Sequence, residues 1–307
     1  MKAIVVGMGV QGEKRKKYLG KDFIFSVDKF KNADYESIFD VPLKAYDVAF
    51  LCVPESEKID LIKYCIKNKK HILVEKPLLI KSSKLLIKLE KQAKKNKVIL
   101  YTAYNHRFEP SILKLKNLIE KKTLGKIYRC KIFYGNGTSY LVKKSKWRDG
   151  GLGVVTDIGS HLLDICLFWF GNKITKLKVI EINKFENKAS DHAIISLEIS
   201  KINIQLEMTL CMWKNTFTCD LLAAKGSAHL NSLCKWSKST FIYRKRKLPS
   251  GKPSEKITFF EQGDPTWRSE YLFFKDLIKK NKKNNLKRDI ILNREFAKIK
   301  KIISYEK

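Results

Sequence analysis

Three short stretches of this 307-residue chain carry residue types whose spacing suits chemistry. The first is Gly7-Met8-Gly9-Val10-Gln11-Gly12, which follows directly on the apolar run Lys2–Val6. A G-x-G-x-x-G turn that ends a strand and opens a helix can cradle a pyrophosphate. Gly7 permits the tight turn, Gly9 lets the backbone approach the phosphates, and Gly12 lets helix and sheet pack closely. Val10 and Gln11 lie where the free N–H groups and partial positive charge of the helix N-terminus favour anions. Asp28 stands 21 residues after Gly7, at the end of the next strand-like run. A carboxylate there accepts hydrogen bonds from both ribose hydroxyls and repels a 2′-phosphate, which favours NAD over NADP. Lys29, next in the chain, works against that preference.

The second stretch is Glu75-Lys76-Pro77, after the fourth strand-like run. The carboxyl ends of parallel strands are where open α/β sheets bind ligands. Proline fixes the turn there, and a cis bond suits it. Lys76 has two readings, an ordinary surface lysine or a cation that polarises a carbonyl or hydroxyl in a cofactor crevice. The third stretch is Gly150-Gly151-Leu152-Gly153-Val154-Val155-Thr156-Asp157-Ile158-Gly159-Ser160-His161-Leu162-Leu163-Asp164. Asp157 and His161 are four residues apart and share a helix face. Their neighbours are apolar, so the helix is expected to be buried, and charges on it must be paired or face a cavity. An Asp that orients a His is an acid–base arrangement. A satisfied helix-capping network fits the same local pattern.

The elements that must hold these residues follow from periodicity. Short Val/Ile/Leu-rich runs at Lys2–Val6, Phe23–Asp28, Val48–Val53, His71–Val74 and Val98–Tyr101 alternate with helical patterns at Gln11–Leu19, Glu57–Asn68 and Ser82–Asn96. That alternation predicts a parallel sheet with helices on both faces. The connection Lys29–Asp47 is only weakly helical. After Pro110 the pattern changes to a helix over Ile112–Lys121, a strand over Lys126–Tyr134, a polar loop over Gly135–Gly151 and a helix from about Leu152. From Ile174 to Phe260 strands follow one another without helical periods between them, which predicts an antiparallel sheet. Two helices, Thr266–Asn281 and about Leu292–Ser304, end the pattern. The expected fold is therefore α/β plus α+β. The boundary between the two patterns falls near residue 121.

Composition narrows the class. Hydrophobic residues make up 44% of the chain, which supports packed cores. The longest apolar runs, Val48–Val53 and Ile165–Phe170, are far short of the roughly 20 residues a membrane-spanning helix needs. The N-terminal run enters the glycine turn with no cleavage pattern, so a first strand is expected there rather than a signal peptide. Seven cysteines, an odd number with no CxxC spacing, point to buried free thiols in a reducing cytoplasm and to no metal. The net charge is +32, yet only nine of the 63 basic residues are Arg. They spread along the whole chain with no nucleic-acid motif, so neither a nucleic-acid nor a membrane partner is expected. A positive field would help to recruit an anionic small-molecule substrate.

Taken in order, the glycine turn, Asp28, Glu75-Lys76-Pro77, Tyr104-Asn105-His106-Arg107-Phe108 and the glycine-rich segment ending in Asp157-x-Gly-x-His161-x-x-Asp164 resemble the Gfo/Idh/MocA oxidoreductases over nearly the whole chain. That resemblance implies a dinucleotide-binding Rossmann domain over residues 1–121, followed by a substrate-binding and oligomerisation α+β domain over 122–307 with a large, mostly antiparallel open sheet. It implies Lys76, Asp157 and His161 as the catalytic set. It also implies homodimers or homotetramers formed through the outer face of the second sheet. Cofactor contacts are expected from Gly7, Gly9, Val10, Gln11, Gly12, Asp28, Pro54, Glu75 and Lys76, and substrate contacts from Tyr104, Asn105, Arg107, Trp147 and Arg148, with Arg107 equally suited to a structural role. Two departures stand out. Many members carry Pro-x-x-x-His after the third strand, where this chain has Pro54-Glu55-Ser56-Glu57-Lys58. The loop between Arg148 and Gly150 is also shorter than usual. The implied activity is hydride transfer between a nicotinamide and a carbinol carbon of a sugar, cyclitol or sugar derivative, anionic or nucleotide-linked forms included. The alternatives are a diol- or biliverdin-type substrate, or a regulatory NAD-binding protein without turnover.

Overall fold

The computed structural model describes residues 1–80, 82–145, 148–282 and 286–305. In chain order the first elements are β1 (Ala3–Val6), α1 (Val10–Leu19), β2 (Phe23–Val27), β3 (Val48–Leu51), α2 (Glu55–Lys67), β4 (His71–Glu75), α3 (Ser83–Lys95) and β5 (Leu100–Ala103). Next come α4 (Pro110–Glu120), β6 (Ile127–Gly135), α5 (Ser139–Lys143) and α6 (Val154–Phe170). Then follow β7 (Ile174–Asn183), β8 (His192–Ile199), β9 (Ile202–Thr209), β10 (Thr216–Ala223), β11 (Gly226–Asn231), β12 (Ser239–Lys247) and β13 (Gly251–Phe260). The series ends with α7 (Thr266–Lys279) and α8 (Lys287–Tyr305). Among the described residues no helix is long and apolar enough to cross a membrane. All seven cysteines are free thiols, and only Cys52 and Cys211 are less than fully buried.

The chain divides into two compact units, residues 1–105 with 267–293, and residues 106–266 with 294–307. The first contains a five-stranded parallel sheet in the order β2-β1-β3-β4-β5. Its strands are apolar on both faces, as a sheet covered on both sides requires, and β1, β3 and β5 are buried at every position. One face packs on α2 and α3 through Ile62, Ile66, Leu86 and Leu89. The other packs on α7 through Tyr271, Phe274 and Leu277. Strand order reverses between β1 and β3, and that switch point opens the crevice used by dinucleotides in this topology. No α-helix links β2 to β3. Between them are a 3₁₀ turn at Leu43–Ala45 and a bridge from Val27 to Tyr35.

The second unit is built on an eight-stranded sheet in the order β13-β12-β11-β10-β6-β9-β8-β7. Every neighbouring pair is antiparallel except β6 and β9, which run parallel. Parallel neighbours need a long crossover, and the segment that returns the chain from β6 to β9 contains α6. That helix lies on β9, β8 and β6. Gly159 faces Met208 of β9 at this contact, where a Cβ would stand 2.8 Å from the Met208 Sδ.

The boundary lies at Asn105/His106 rather than near residue 121, and Trp267–Asn293 belongs to the first unit. Packing explains both differences. The amphipathic helix α4 lies on α6 and β12, and Trp169 on α6 donates its indole N–H to the Ile112 carbonyl at 3.0 Å. Helix α7 supplies the missing cover for the Rossmann sheet. Phe274 is fully buried there, with its ring 5.7 Å from Phe50 and 5.8 Å from Tyr101. The short helix α5 falls in the segment expected to be loop, because five residues are too few to show a period. Phe274→Ala is expected to cost about 3–5 kcal/mol of stability, read by chemical denaturation. A loss under about 1 kcal/mol, typical of a surface position, would place α7 outside this core.

Candidate active site

The glycine turn lies where β1 meets α1, beside the switch point. Gly12 holds helix against turn so tightly that a Cβ there would lie 2.0 Å from the Gly7 carbonyl oxygen. Gly9 differs: it is the N-cap of α1, has no side-chain cap, and a Cβ there would meet nothing within 4 Å. Open space in front of uncapped helix N–H groups is what a bound phosphate requires. Val10 and Gln11 are exposed on the first turn of α1. Asp28, just past β2, accepts the Met8 N–H at 2.6 Å and the Phe30 and Lys31 N–H groups at 2.8 and 3.1 Å. Burial alone would raise its carboxyl, but these backbone donors hold it below the usual carboxylate range. It is therefore anionic at neutral pH and tied to the glycine turn. These residues fit a nicotinamide dinucleotide.

Pro54 is the N-cap of α2, and Lys58, one turn later, is almost wholly buried. Its Nζ donates to the carbonyl oxygens of Glu75 at 2.6 Å and Pro77 at 2.7 Å, and pairs with Glu55. Two backbone carbonyls that flank Lys76 are thus held by one ammonium. Burial pulls Lys58 below the ordinary lysine range although Glu55 draws it back. The Lys76–Pro77 bond is cis, and Lys76 is half-buried. Arg15, buried on α1, holds the Glu75 side chain from its Nε at 2.6 Å, pairs with Glu270 on α7 at 2.8 Å and lies over the Trp267 ring. The residue that departs from the family's histidine therefore supports the lysine turn through its backbone.

In the second unit Asp157 and His161 lie one turn apart on α6, and His161 is buried. Arg148 donates to Asp157 at 3.1 Å. Arg107 makes a two-pronged pair with buried Asp164, its Nε at 2.6 Å from Oδ2. That contact is the structural role open to Arg107. Tyr104 and Asn105 are buried at the end of the first segment of the Rossmann unit. Trp147 lies outside the described residues.

Sequence reasoning quoted His106 in a motif without giving it a role, and it passed over Tyr134, Lys235 and Arg15. The His106 ring lies 3.9 Å, centroid to centroid, from that of His161 and 5.7 Å from Tyr134. Lys235 reaches His106 from a turn between β11 and β12. No local signal separates this lysine from the many others in the chain. Only its neighbours in three dimensions, His106, Tyr134 and Trp236, distinguish it.

Residues 2–104 match the model of an oxidoreductase family with an NAD-binding Rossmann fold, and residues 112–229 match the model of the GFO/IDH/MocA C-terminal domain. The chain belongs to the Gfo/Idh/MocA family of oxidoreductases. It is similar to myo-inositol 2-dehydrogenase of Thermotoga maritima, with 36% identity over 80 residues, 26% of this chain and 24% of that protein. The chain thus matches well under two thirds of that relative's length. A levoglucosan dehydrogenase solved with NADH superposes with a TM-score of 0.81 at 14% identity, covering 98% of this chain and 97% of that one. The UDP-N-acetylglucosamine 3-dehydrogenase GnnA of Acidithiobacillus ferrooxidans does so with 0.78 at 14% identity, covering 97% and 96%. At such identities the superpositions speak for the fold.

Asp28→Ala removes the carboxylate that is expected to meet a ribose 2′ position. NAD affinity is expected to fall about tenfold, and discrimination against NADP to shrink by a similar factor, the worth of one charge-assisted hydrogen bond. Titration calorimetry with both dinucleotides checks this. An unchanged ratio of the two affinities would remove Asp28 from the cofactor site.

Proposed function

We propose that the protein is an NAD-dependent dehydrogenase that interconverts an alcohol and a carbonyl on a sugar, cyclitol or sugar derivative. The observation that carries this reading is the buried imidazole of His161 on α6, one turn from the Arg148-held carboxylate of Asp157. A buried histidine beside a carboxylate suits proton transfer near neutral pH. When bound, NAD supplies the nicotinamide carbon that accepts the hydride. His161 takes the hydroxyl proton as the alcohol is oxidised. Asp157 orients that ring and stabilises its charged form. Lys76, held through the carbonyls on either side of it, stabilises negative charge on the substrate oxygen.

NAD is favoured over NADP by the anionic Asp28. A polyol substrate is supported by similarity to an inositol dehydrogenase. The excess of basic residues favours anionic or nucleotide-linked forms among these.

A panel of cyclitols, sugars, uronates and nucleotide-sugars with NAD, followed by absorbance of the reduced cofactor, tests the reading. On the best substrate His161→Ala and Lys76→Ala are each expected to lower kcat by roughly 10²–10⁴-fold, the usual worth of a general acid or base, with NAD binding retained. Near-wild-type turnover in either variant would refute the role given to that residue.

A further inference from the structure

Lys235 lies outside all three motifs, yet it points into the imidazoles of the second unit. Its Nζ is 3.1 Å from His106 Nε2 and 3.0 Å from the Tyr134 hydroxyl, and it lies over the Trp236 ring at 4.6 Å. The turn that carries it is anchored. Glu109, buried at the N-cap of α4, accepts the Cys234 N–H at 2.7 Å, and the Leu233 carbonyl accepts the Trp236 N–H at 3.0 Å. An ammonium has donors only, so His106 Nε2 must accept and that neutral ring carries its proton on Nδ1. The opposite tautomer would set two donors against each other.

The charges around this group are distributed unevenly. On α6, Asp157 is paired with Arg148 and Asp164 with Arg107. Glu109, from the start of α4, is itself raised by burial. Asp264, before α7, also acts on Lys235, the Tyr134 hydroxyl on β6 accepts its N–H, and Cys234 beside it is raised by burial and by Glu109. Desolvation brings the Lys235 ammonium down to about 8, against the pull of Asp264, Glu109 and Asp157. It therefore keeps its charge across the range in which an imidazole titrates. A cation beside an imidazole favours the neutral ring, and the His106 and His161 rings are in contact.

We propose that Lys235 is a positioning residue for the acid–base histidine: its ammonium fixes the tautomer of His106 and, across the two touching rings, keeps His161 neutral and able to accept a proton. The proposal rests on the reading of His161 as proton acceptor. It adds a group that sets when His161 can perform that role.

The chain has five histidines, so their imidazole signals can be titrated one by one by NMR and assigned with single His→Gln variants. In Lys235→Met and Lys235→Gln the His161 midpoint is expected to rise by about one pH unit, the size of a nearby charge effect. Lys235→Arg, which keeps the charge, should leave it near wild type. His192 and His229 serve as references that do not move. Glutamine preserves a polar contact to Tyr134 and gives a second neutral variant should methionine not fold. An unchanged His161 midpoint in a folded neutral variant overturns the proposal, and so does an equal rise in Lys235→Arg. The titration needs no substrate, so its failure is distinct from failure of the His161 assignment, which the turnover of His161→Ala decides.

Discussion

A helix that forms the core of a sheet domain can carry acid–base groups only if each buried charge on it meets a partner. Helix α6 works under that constraint. Leu162, Leu163, Ile165 and Cys166 are fully buried on it, and so is Asp164. Moving one unpaired carboxylate into such surroundings costs several kcal/mol. Arg107 meets Asp164 with a planar fork, and Arg148 meets Asp157 nearer the surface. Removing Arg107 would take this fork away from a carboxylate that is fully buried. Gly159 leaves room for the Met208 side chain where the helix lies on β9.

The Rossmann unit solves a similar problem by a different route. Its lysine turn is held from the backbone by Lys58 and from the Glu75 side chain by Arg15. Both are cations that lost most of their hydration, and both recover it as short hydrogen bonds to carboxylates or carbonyls. At position 58 the surroundings call for a donor to two carbonyls. An ammonium, with three donors, meets that demand and still pairs with Glu55. In each unit the candidate groups thus sit beside neighbouring charged groups that hold them or their backbone.

Much of the scaffold was legible in the chain itself. The alternation of strand and helix up to Tyr101 and the run of strands from Ile174 predicted both sheets, because burial on one or two faces writes a period into the sequence. The glycine turn, Asp28 and the Asp157/His161 spacing were legible for the same reason: each depends on neighbours along the chain. The boundary was not. Helix α4 looks like an ending to the first pattern, and only its packing on α6 and β12 assigns it to the second unit. The parallel pairing of β6 with β9 was equally hidden, since strands in series look alike whether they pair next to one another or across a crossover.

The sequence alone determined which local elements form, where a dinucleotide can lie and which helix carries a carboxylate and an imidazole on one face. The tertiary structure decided which partners those groups meet. Arg107 finds Asp164 across 57 residues, and Lys235 finds His106 across 129. Periodicity reports which face of an element is buried, but a buried polar group is stabilised by whatever side chain the fold brings within about 3 Å. That distance has no counterpart in chain spacing, so the cluster of Lys235, His106 and Tyr134 emerges only when the sheet and its helices have closed around it.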